Sequence, residues 1–71
     1  MTNTAKLEAA IKASGYRKAF LAEQLGMSRR NLALCINNRA EFRASHIQTL
    51  CELLRLDKAQ KESIFFDLDV V

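Results

Sequence analysis

Two basic dipeptides stand beside residues that begin helices, and their side chains are well suited to bind an anion. Arg29 and Arg30 directly follow Ser28, a good helix cap, while Arg17 and Lys18 open the preceding helical pattern. A guanidinium can pair with two acceptors at once, as on a phosphate or a guanine edge. Positive charge in a first helical turn opposes the helix dipole, which favours an anion facing Arg29 and Arg30. A solvated helix start without a ligand is the alternative interpretation.

The basic charge is concentrated in the first part of the chain. Residues 1–44 carry eight basic and three acidic side chains, a net charge of +5. Residues 45–71 carry three basic and five acidic ones, a net charge of −2, so the whole chain has +3. This asymmetry predicts an anionic partner such as DNA for the first part only, although any small basic domain can show it.

The length and residue types argue against an enzyme. The 71 residues suffice for one domain and leave no cleft between subdomains. The chain has no paired-carboxylate site and no glycine-rich phosphate loop, and its one histidine, His46, is interpreted as exposed and inert. Cys35 and Cys51 lie in apolar helical patterns without Cys-x-x-Cys spacing, which predicts buried free thiols. We therefore expect no metal, no cofactor and no small-molecule substrate.

The distribution of apolar residues also predicts the compartment. No segment approaches the roughly 20 consecutive apolar residues of a membrane span. The first residues contain no apolar stretch typical of a signal peptide. We therefore expect a cytoplasmic protein without a membrane partner, in agreement with reduced cysteines.

Hydrophobic spacing predicts an all-α fold, a compact bundle of about five short helices. The chain is 49% hydrophobic, with no proline and two glycines, which favours helices joined by tight turns. The expected helices run from about Thr4 to before Gly15, from about Arg17 to Leu25 before Gly26, from Ser28 to Asn37, from Ser45 with Gln48 completing a capping box, and from Asp57 with Gln60. The expected inward residues are Leu7, Ala10, Ile11, Leu21, Ala22, Leu25, Leu32, Cys35, Ile36, Phe42, Ile47, Leu50, Cys51, Leu54, Ile64 and Phe65.

The last residues have a different period. Phe66, Leu68 and Val70 alternate with aspartates, as in a strand rather than a helix. A lone strand has no partner in a helical chain, so residues 67–71 are interpreted as a tail, either flexible or bound to another protein. The domain itself is assigned to residues 1–66.

Residues 21–32, LAEQLGMSRRNL, are the most specific segment. Ala22 is small enough to let a second helix cross closely, and Gly26 permits the turn between the two helices. Met27 fills the space beneath the turn, and Leu32 holds the helices together. The segment therefore predicts a helix-turn-helix.

This segment resembles the helix-turn-helix of the Cro/CI (XRE-type) repressor family. The resemblance continues through residues 36–39 (INNR), 41–47 (EFRASHI) and 64–66 (IFF) and covers about residues 5–66. Together these motifs are similar to short Cro-like regulators and modulators of repression of temperate bacteriophages. The resemblance implies a lambda-repressor-like bundle acting in a bacterial host cell.

The resemblance also implies roles for individual residues on double-stranded DNA. The third helix would enter the major groove with its N-terminal turn foremost. Contacts to bases are implied for Arg29, Arg30, Asn31, Ala33 and Leu34. Contacts to the DNA backbone, which give affinity rather than sequence choice, are implied for Arg17, Lys18, Asn37 and Arg39.

Two departures from the family pattern and an apolar outer face favour a protein partner as an alternative to DNA. Asn38 replaces the usual glycine, and Lys18 replaces a glutamine that many members have. An exposed apolar surface flanked by charge is typical of a protein interface. The candidate partner contacts are Phe20, Arg30, Leu34, Leu68 and Val70.

Two functions follow from the resemblance, and they do not exclude each other. The first is a transcription regulator of the phage genetic switch that binds operator DNA, as a homodimer on half-sites about one helical turn apart. The second is an anti-repressor that binds a CI-type repressor and blocks or remodels its DNA binding.

Overall fold

The computed structural model describes residues 1–67, and these residues form five α-helices joined by short turns. The helices are α1 (Thr4–Ser14), α2 (Lys18–Leu25), α3 (Arg29–Ile36), α4 (Ala44–Leu54) and α5 (Lys58–Phe65). No strand occurs within residues 1–67. The predicted all-α fold of about five helices is confirmed. Leu68 and Val70 lie outside the described residues.

Local residue chemistry explains most of the helix ends. The side chains of Asn3, Ser28 and Asp57 each accept a hydrogen bond from a main-chain N–H three residues later, which caps α1, α3 and α5. Gly15 and Gly26 end α1 and α2 with φ values of 77° and 70°. Glycine adopts this left-handed conformation without the steric cost that a Cβ brings. These caps agree with the predicted boundaries.

The start of α4 differs from the prediction that Ser45 caps it with Gln48. The helix begins at Ala44 with Arg43 as its N-cap. The Arg43 N–H donates a hydrogen bond to Nδ1 of His46 at 3.4 Å. His46 occupies the third helical position, where a side-chain acceptor can reach back to the cap. His46 is half-buried rather than exposed as predicted, and its side chain helps to begin the helix.

All five helices contribute to one hydrophobic core. Leu7, Leu21, Leu32, Ile36 and Leu50 are its fully buried large side chains. The remaining buried apolar residues are Ile11, Ala22, Cys35, Ile47, Leu54, Ile64 and Phe65. Ala10, Leu25, Phe42 and Cys51 are only partly buried and pack against this core. The predicted inward faces are thus on the inside of the bundle.

Two side chains secure the loop between α3 and α4. Phe42 packs edge-on against Phe65 of α5, with ring centroids 5.6 Å apart. The Cys35 thiol donates a hydrogen bond to the Glu41 carbonyl oxygen at 3.7 Å. Phe42 therefore attaches the loop to the core, as predicted.

Residues 1–3, here called the N-terminal segment, lie against both α3 and α5. The Asn3 N–H donates to the Ile64 carbonyl oxygen at 2.6 Å, and the Asp67 N–H donates to the Met1 carbonyl oxygen at 3.2 Å. Asn3 Nδ2 also donates to Asp67 Oδ2 at 2.8 Å. The two ends of the described chain are therefore joined by hydrogen bonds.

Both cysteines are free thiols, Cys35 buried and Cys51 partly exposed. Burial raises the pKa of the Cys35 thiol. Burial likewise raises the pKa of Cys51; the Lys61 ammonium partly offsets this effect and Glu52 adds to it. Within residues 1–67, no group of three or more His, Cys, Asp or Glu side chains is arranged to hold a metal ion.

Candidate nucleic-acid interface

The turn between α2 and α3 fixes which side of α3 faces outward. Gly26 ends α2 in the left-handed conformation, and the Met27 N–H donates to the Ala22 carbonyl oxygen at 3.0 Å. Ser28 Oγ then accepts from the Asn31 N–H at 3.1 Å and begins α3. Because Leu32 lies in the core, the opposite side of α3 is presented to solvent.

The first turn and the outward side of α3 carry the residues predicted to contact bases. Arg29, Arg30, Asn31 and Ala33 are exposed, and Leu34 is half-buried. The first turn of α3 contains no acidic residue. Among residues 1–67, neither arginine guanidinium has an ion-pair or hydrogen-bond partner. Two unneutralised charges therefore stand at the positive end of the α3 dipole and strengthen its attraction for an anion.

The start of α2 carries the other basic pair, in different surroundings. Arg17 is the exposed N-cap residue, and Lys18 is the first helical residue. Lys18 Nζ lies 2.9 Å from each carboxylate oxygen of Glu8, and the two side chains are 44% and 43% exposed. An exposed ion pair contributes only about 0.2–1 kcal/mol. Lys18 can therefore exchange Glu8 for another anion at small cost.

An exposed aromatic pair lies next to these charges in the chain. The rings of Tyr16 and Phe20 are stacked, with centroids 5.0 Å apart and an angle of 28° between their planes. Tyr16 is 40% and Phe20 is 39% exposed. Phe20 was a predicted partner contact, whereas Tyr16 was not predicted. Its four-residue spacing from Phe20 was the signal, since residues at that spacing become neighbours at a helix start.

A comparison with known families identifies this arrangement of helices. A family model described as Cro/C1-type HTH DNA-binding domain matches residues 6–60, which include α2, α3 and α4 entirely. The chain belongs to this family. It is therefore a DNA-binding helix-turn-helix domain of the kind that acts in transcription regulation, and such domains are typically not enzymes. No curated protein and no solved structure matches the chain.

In this Cro/C1-type domain the end of α3 carries the remaining predicted DNA contacts. Asn37 and Arg39 are exposed. Asn37 Nδ2 donates to the Ala33 carbonyl oxygen at 3.0 Å, so part of its hydrogen-bonding capacity closes its own helix. The Arg39 guanidinium has no ion-pair partner within residues 1–67. Arg39 is thus the freer of the two to contact an anion.

Asn38 is a residue whose importance in this domain the sequence did not reveal. Its φ of 62° explains why asparagine can replace the family's glycine. Its side-chain amide also forms two hydrogen bonds with Thr2 at distances of 2.7 and 3.0 Å. No short-range pattern signals a bond between residues this far apart in the chain.

No helix within residues 1–67 of the domain is long and apolar enough to cross a bilayer. The longest, α1 and α4, have 11 residues each, against the roughly 20 that a span requires.

Proposed function

We propose that this chain is a transcription regulator of a bacteriophage genetic switch and binds operator DNA through α3. The proposal is carried by one observation: at the exposed start of α3 in a Cro/C1-type domain, the guanidiniums of Arg29 and Arg30 have no partner within residues 1–67. DNA phosphates and guanine edges offer the anionic and paired acceptors that such groups bind.

Base contacts in this proposal come from the outward side of α3. Arg29 and Arg30 each donate two hydrogen bonds to the N7 and O6 atoms of a guanine, and Asn31 lies beside them. Ala33 and Leu34 provide apolar contact to thymine methyl groups. These contacts determine which operator is chosen.

Contacts to the DNA backbone come from the flanking residues. Arg17 binds phosphate directly, and Lys18 does so after leaving Glu8. Asn37 and Arg39 bind phosphate at the far end of α3. These contacts position the domain and supply affinity that depends on salt concentration. A homodimer would bind two half-sites about one helical turn apart in the cytoplasm of a bacterial host.

The test is a DNA titration of the Arg29→Ala, Arg30→Ala double variant on the chain's own promoter region. We expect at least tenfold weaker binding, because each lost bidentate pair costs about 1–3 kcal/mol. The Lys12→Ala, Lys58→Ala double variant is the control, since it removes equal charge from exposed positions outside α2 and α3. Unchanged binding by the arginine double variant would contradict the proposal.

A second candidate function is favoured by the exposed aromatic pair. We propose that the same surface can capture a CI-type repressor, so that the chain acts as an anti-repressor. Phe20, Arg30 and Leu34 would contact the DNA-reading surface of that repressor, because exposed aromatic and arginine side chains commonly dominate protein interfaces. Leu68 and Val70 belong to this proposal as sequence-based contacts only.

A gel shift with promoter DNA, with and without the CI-type repressor, separates the two functions. A shift by the chain alone supports operator binding, and a shift that changes only when both proteins are present supports the anti-repressor. Phe20→Ser should weaken capture of the repressor in a pull-down, and deletion of residues 68–71 tests Leu68 and Val70. Recovery of no repressor at high concentration and low salt would exclude the second function.

A further inference from the structure

The hydrogen bonds around Asn38 connect the end of α3 to the N-terminal segment. Asn38 Oδ1 accepts from the Thr2 N–H at 3.0 Å, and Asn38 Nδ2 donates to the Thr2 carbonyl oxygen at 2.7 Å. The side-chain amide of Asn38 therefore forms one hydrogen bond with the N–H of Thr2 and one with its carbonyl oxygen. Thr2 itself is buried, so water cannot easily replace these bonds.

A further bond joins the end of α3 to the first residue of α1, next to the N-terminal segment. Thr4 Oγ1 donates to the Ile36 carbonyl oxygen at 2.7 Å. This carbonyl belongs to the last turn of α3, where no intrahelical N–H partner remains. The three preceding carbonyls, of Ala33, Leu34 and Cys35, accept from main-chain N–H groups of residues 37–40. The last acceptor of α3 is thus satisfied by a side chain from α1.

The N-terminal segment is in turn held by α5. Asn3 donates from its N–H to the Ile64 carbonyl oxygen and from Nδ2 to Asp67. The segment therefore bridges α3 to the end of α5. An eight-residue helix such as α3 is not stable by itself, so its orientation depends on its packing and on the attachments at its two ends.

We propose that Asn38 is a positioning residue for DNA binding by this domain. It attaches the end of α3 to the N-terminal segment and so holds the helix in the orientation in which Arg29 and Arg30 face the ligand. Glycine at this position would keep the left-handed backbone and lose both bonds to Thr2. The proposal rests on the proposed operator binding, because it concerns the same helix.

The test compares Asn38→Gly and Thr4→Val with Asp57→Ala. Asn38→Gly removes the bonds between the end of α3 and the N-terminal segment, and Thr4→Val removes the bond between α3 and the start of α1. The third removes the cap of α5, a comparable hydrogen-bonding loss that leaves every contact of the segment in place. DNA affinity is measured at a temperature where all variants are folded, and hydrogen exchange of the α3 amides is measured without DNA.

We expect Asn38→Gly to weaken DNA binding about three- to tenfold and to speed exchange of the last α3 amides and of Thr2 at least tenfold. Thr4→Val should act in the same direction. Asp57→Ala should lower the melting temperature similarly and leave DNA affinity and α3 exchange unchanged. Loss of affinity in all three variants alike would overturn the proposal, because it would then reflect general destabilisation.

The two proposals fail in different ways. If the unaltered chain binds no promoter DNA, the proposed function fails, and the exchange measurement still decides whether Asn38 holds α3. Unchanged α3 exchange in Asn38→Gly overturns the positioning role, whether or not DNA is bound. Equal DNA affinity of Asn38→Gly and the unaltered chain overturns it as well.

Discussion

The basic side chains of the candidate interface differ in what surrounds them. Arg29 and Arg30 have no acidic neighbour in the first turn of α3, whereas Lys18 is paired with Glu8 across the start of α2. The charge of Lys18 is therefore partly neutralised before any ligand arrives. In the proposed complex, the arginines contribute their full charge to DNA affinity, and Lys18 contributes less.

Removing the carboxylate at position 8 should release Lys18. We expect Glu8→Gln to increase DNA affinity a few-fold, because Lys18 no longer exchanges a carboxylate for a phosphate. Stability should fall by less than about 1 kcal/mol, as is usual for exposed pairs. Titration with promoter DNA measures the first effect and urea unfolding the second. Glu62→Gln on α5 changes the charge equally, so an equal gain in that variant would show a general charge effect.

The cysteines should react slowly with thiol reagents near neutral pH. Burial raises the pKa of both thiols, so less of the reactive thiolate is present than in an unfolded chain. Because the folded state favours the neutral thiols, their contribution to folding stability is fully present below the thiol pKa of the unfolded chain. This contribution is lost as the pH rises through the higher thiol pKa of the folded state. Alkylation followed by mass spectrometry should show Cys51 modified before the more buried Cys35. Rapid modification of Cys35 in the folded protein would contradict this expectation.

The helices themselves were largely predictable because short-range features determine them. Apolar spacing located the buried faces, and Asn3, Ser28 and Asp57 are good caps that lie next to those patterns. The start of α4 was missed because Ser45 is a better cap by residue type than Arg43. The Arg43 backbone has the extended conformation of an N-cap, and His46 supplies the acceptor that the position requires.

Only those features of the candidate site that depend on residues close together in the sequence were predictable. The outward position of Arg30 follows from helical periodicity, because it lies opposite the buried Leu32, and Arg29 is exposed in the first turn of the same helix. The pairs Glu8–Lys18 and Thr2–Asn38 instead join distant parts of the chain. Such pairs depend on how the helices pack, and no periodicity in the sequence records them.

The cap of α4 gives a prediction at the scale of one helix. His46→Ala should lower the free energy of unfolding by about 0.5–1 kcal/mol, because the Arg43 N–H loses its acceptor. His46→Glu should retain most of the stability, since glutamate at this helical position can accept the same bond. Urea unfolding followed by circular dichroism measures both variants. Equal stability of His46→Ala and the unaltered chain would mean that water replaces the imidazole.

At the scale of the whole molecule, charge is divided between two regions. The net charge of +5 lies in residues 1–44, which include all of α2 and α3, and the net charge of −2 lies in residues 45–71. A polyanion attracts the basic excess of residues 1–44 and repels the acidic excess of residues 45–71.

The proposed assignment of Arg17 to the DNA backbone and of Arg29 to a base predicts how salt and DNA sequence affect binding. Arg17→Ala should weaken binding to all DNA sequences alike and reduce the slope of log K against log salt concentration by about 0.9, the value for one lost phosphate contact. Arg29→Ala should instead reduce the preference for the operator over unrelated DNA. Titrations at several salt concentrations with both DNAs distinguish the two. A change of sequence preference in Arg17→Ala would contradict its assignment to the backbone.

The hydrogen bond between Met1 and Asp67 brings together residues that are furthest apart in the described chain. The path of the backbone is therefore almost a closed ring. Consider a circular permutant of residues 1–67 in which a linker connects Asp67 to Met1 and the new ends lie at the surface turn around Arg55. It would contain the same helices with the same packing contacts. We expect such a chain to reach the same fold, since little in the bundle depends on which helix comes first.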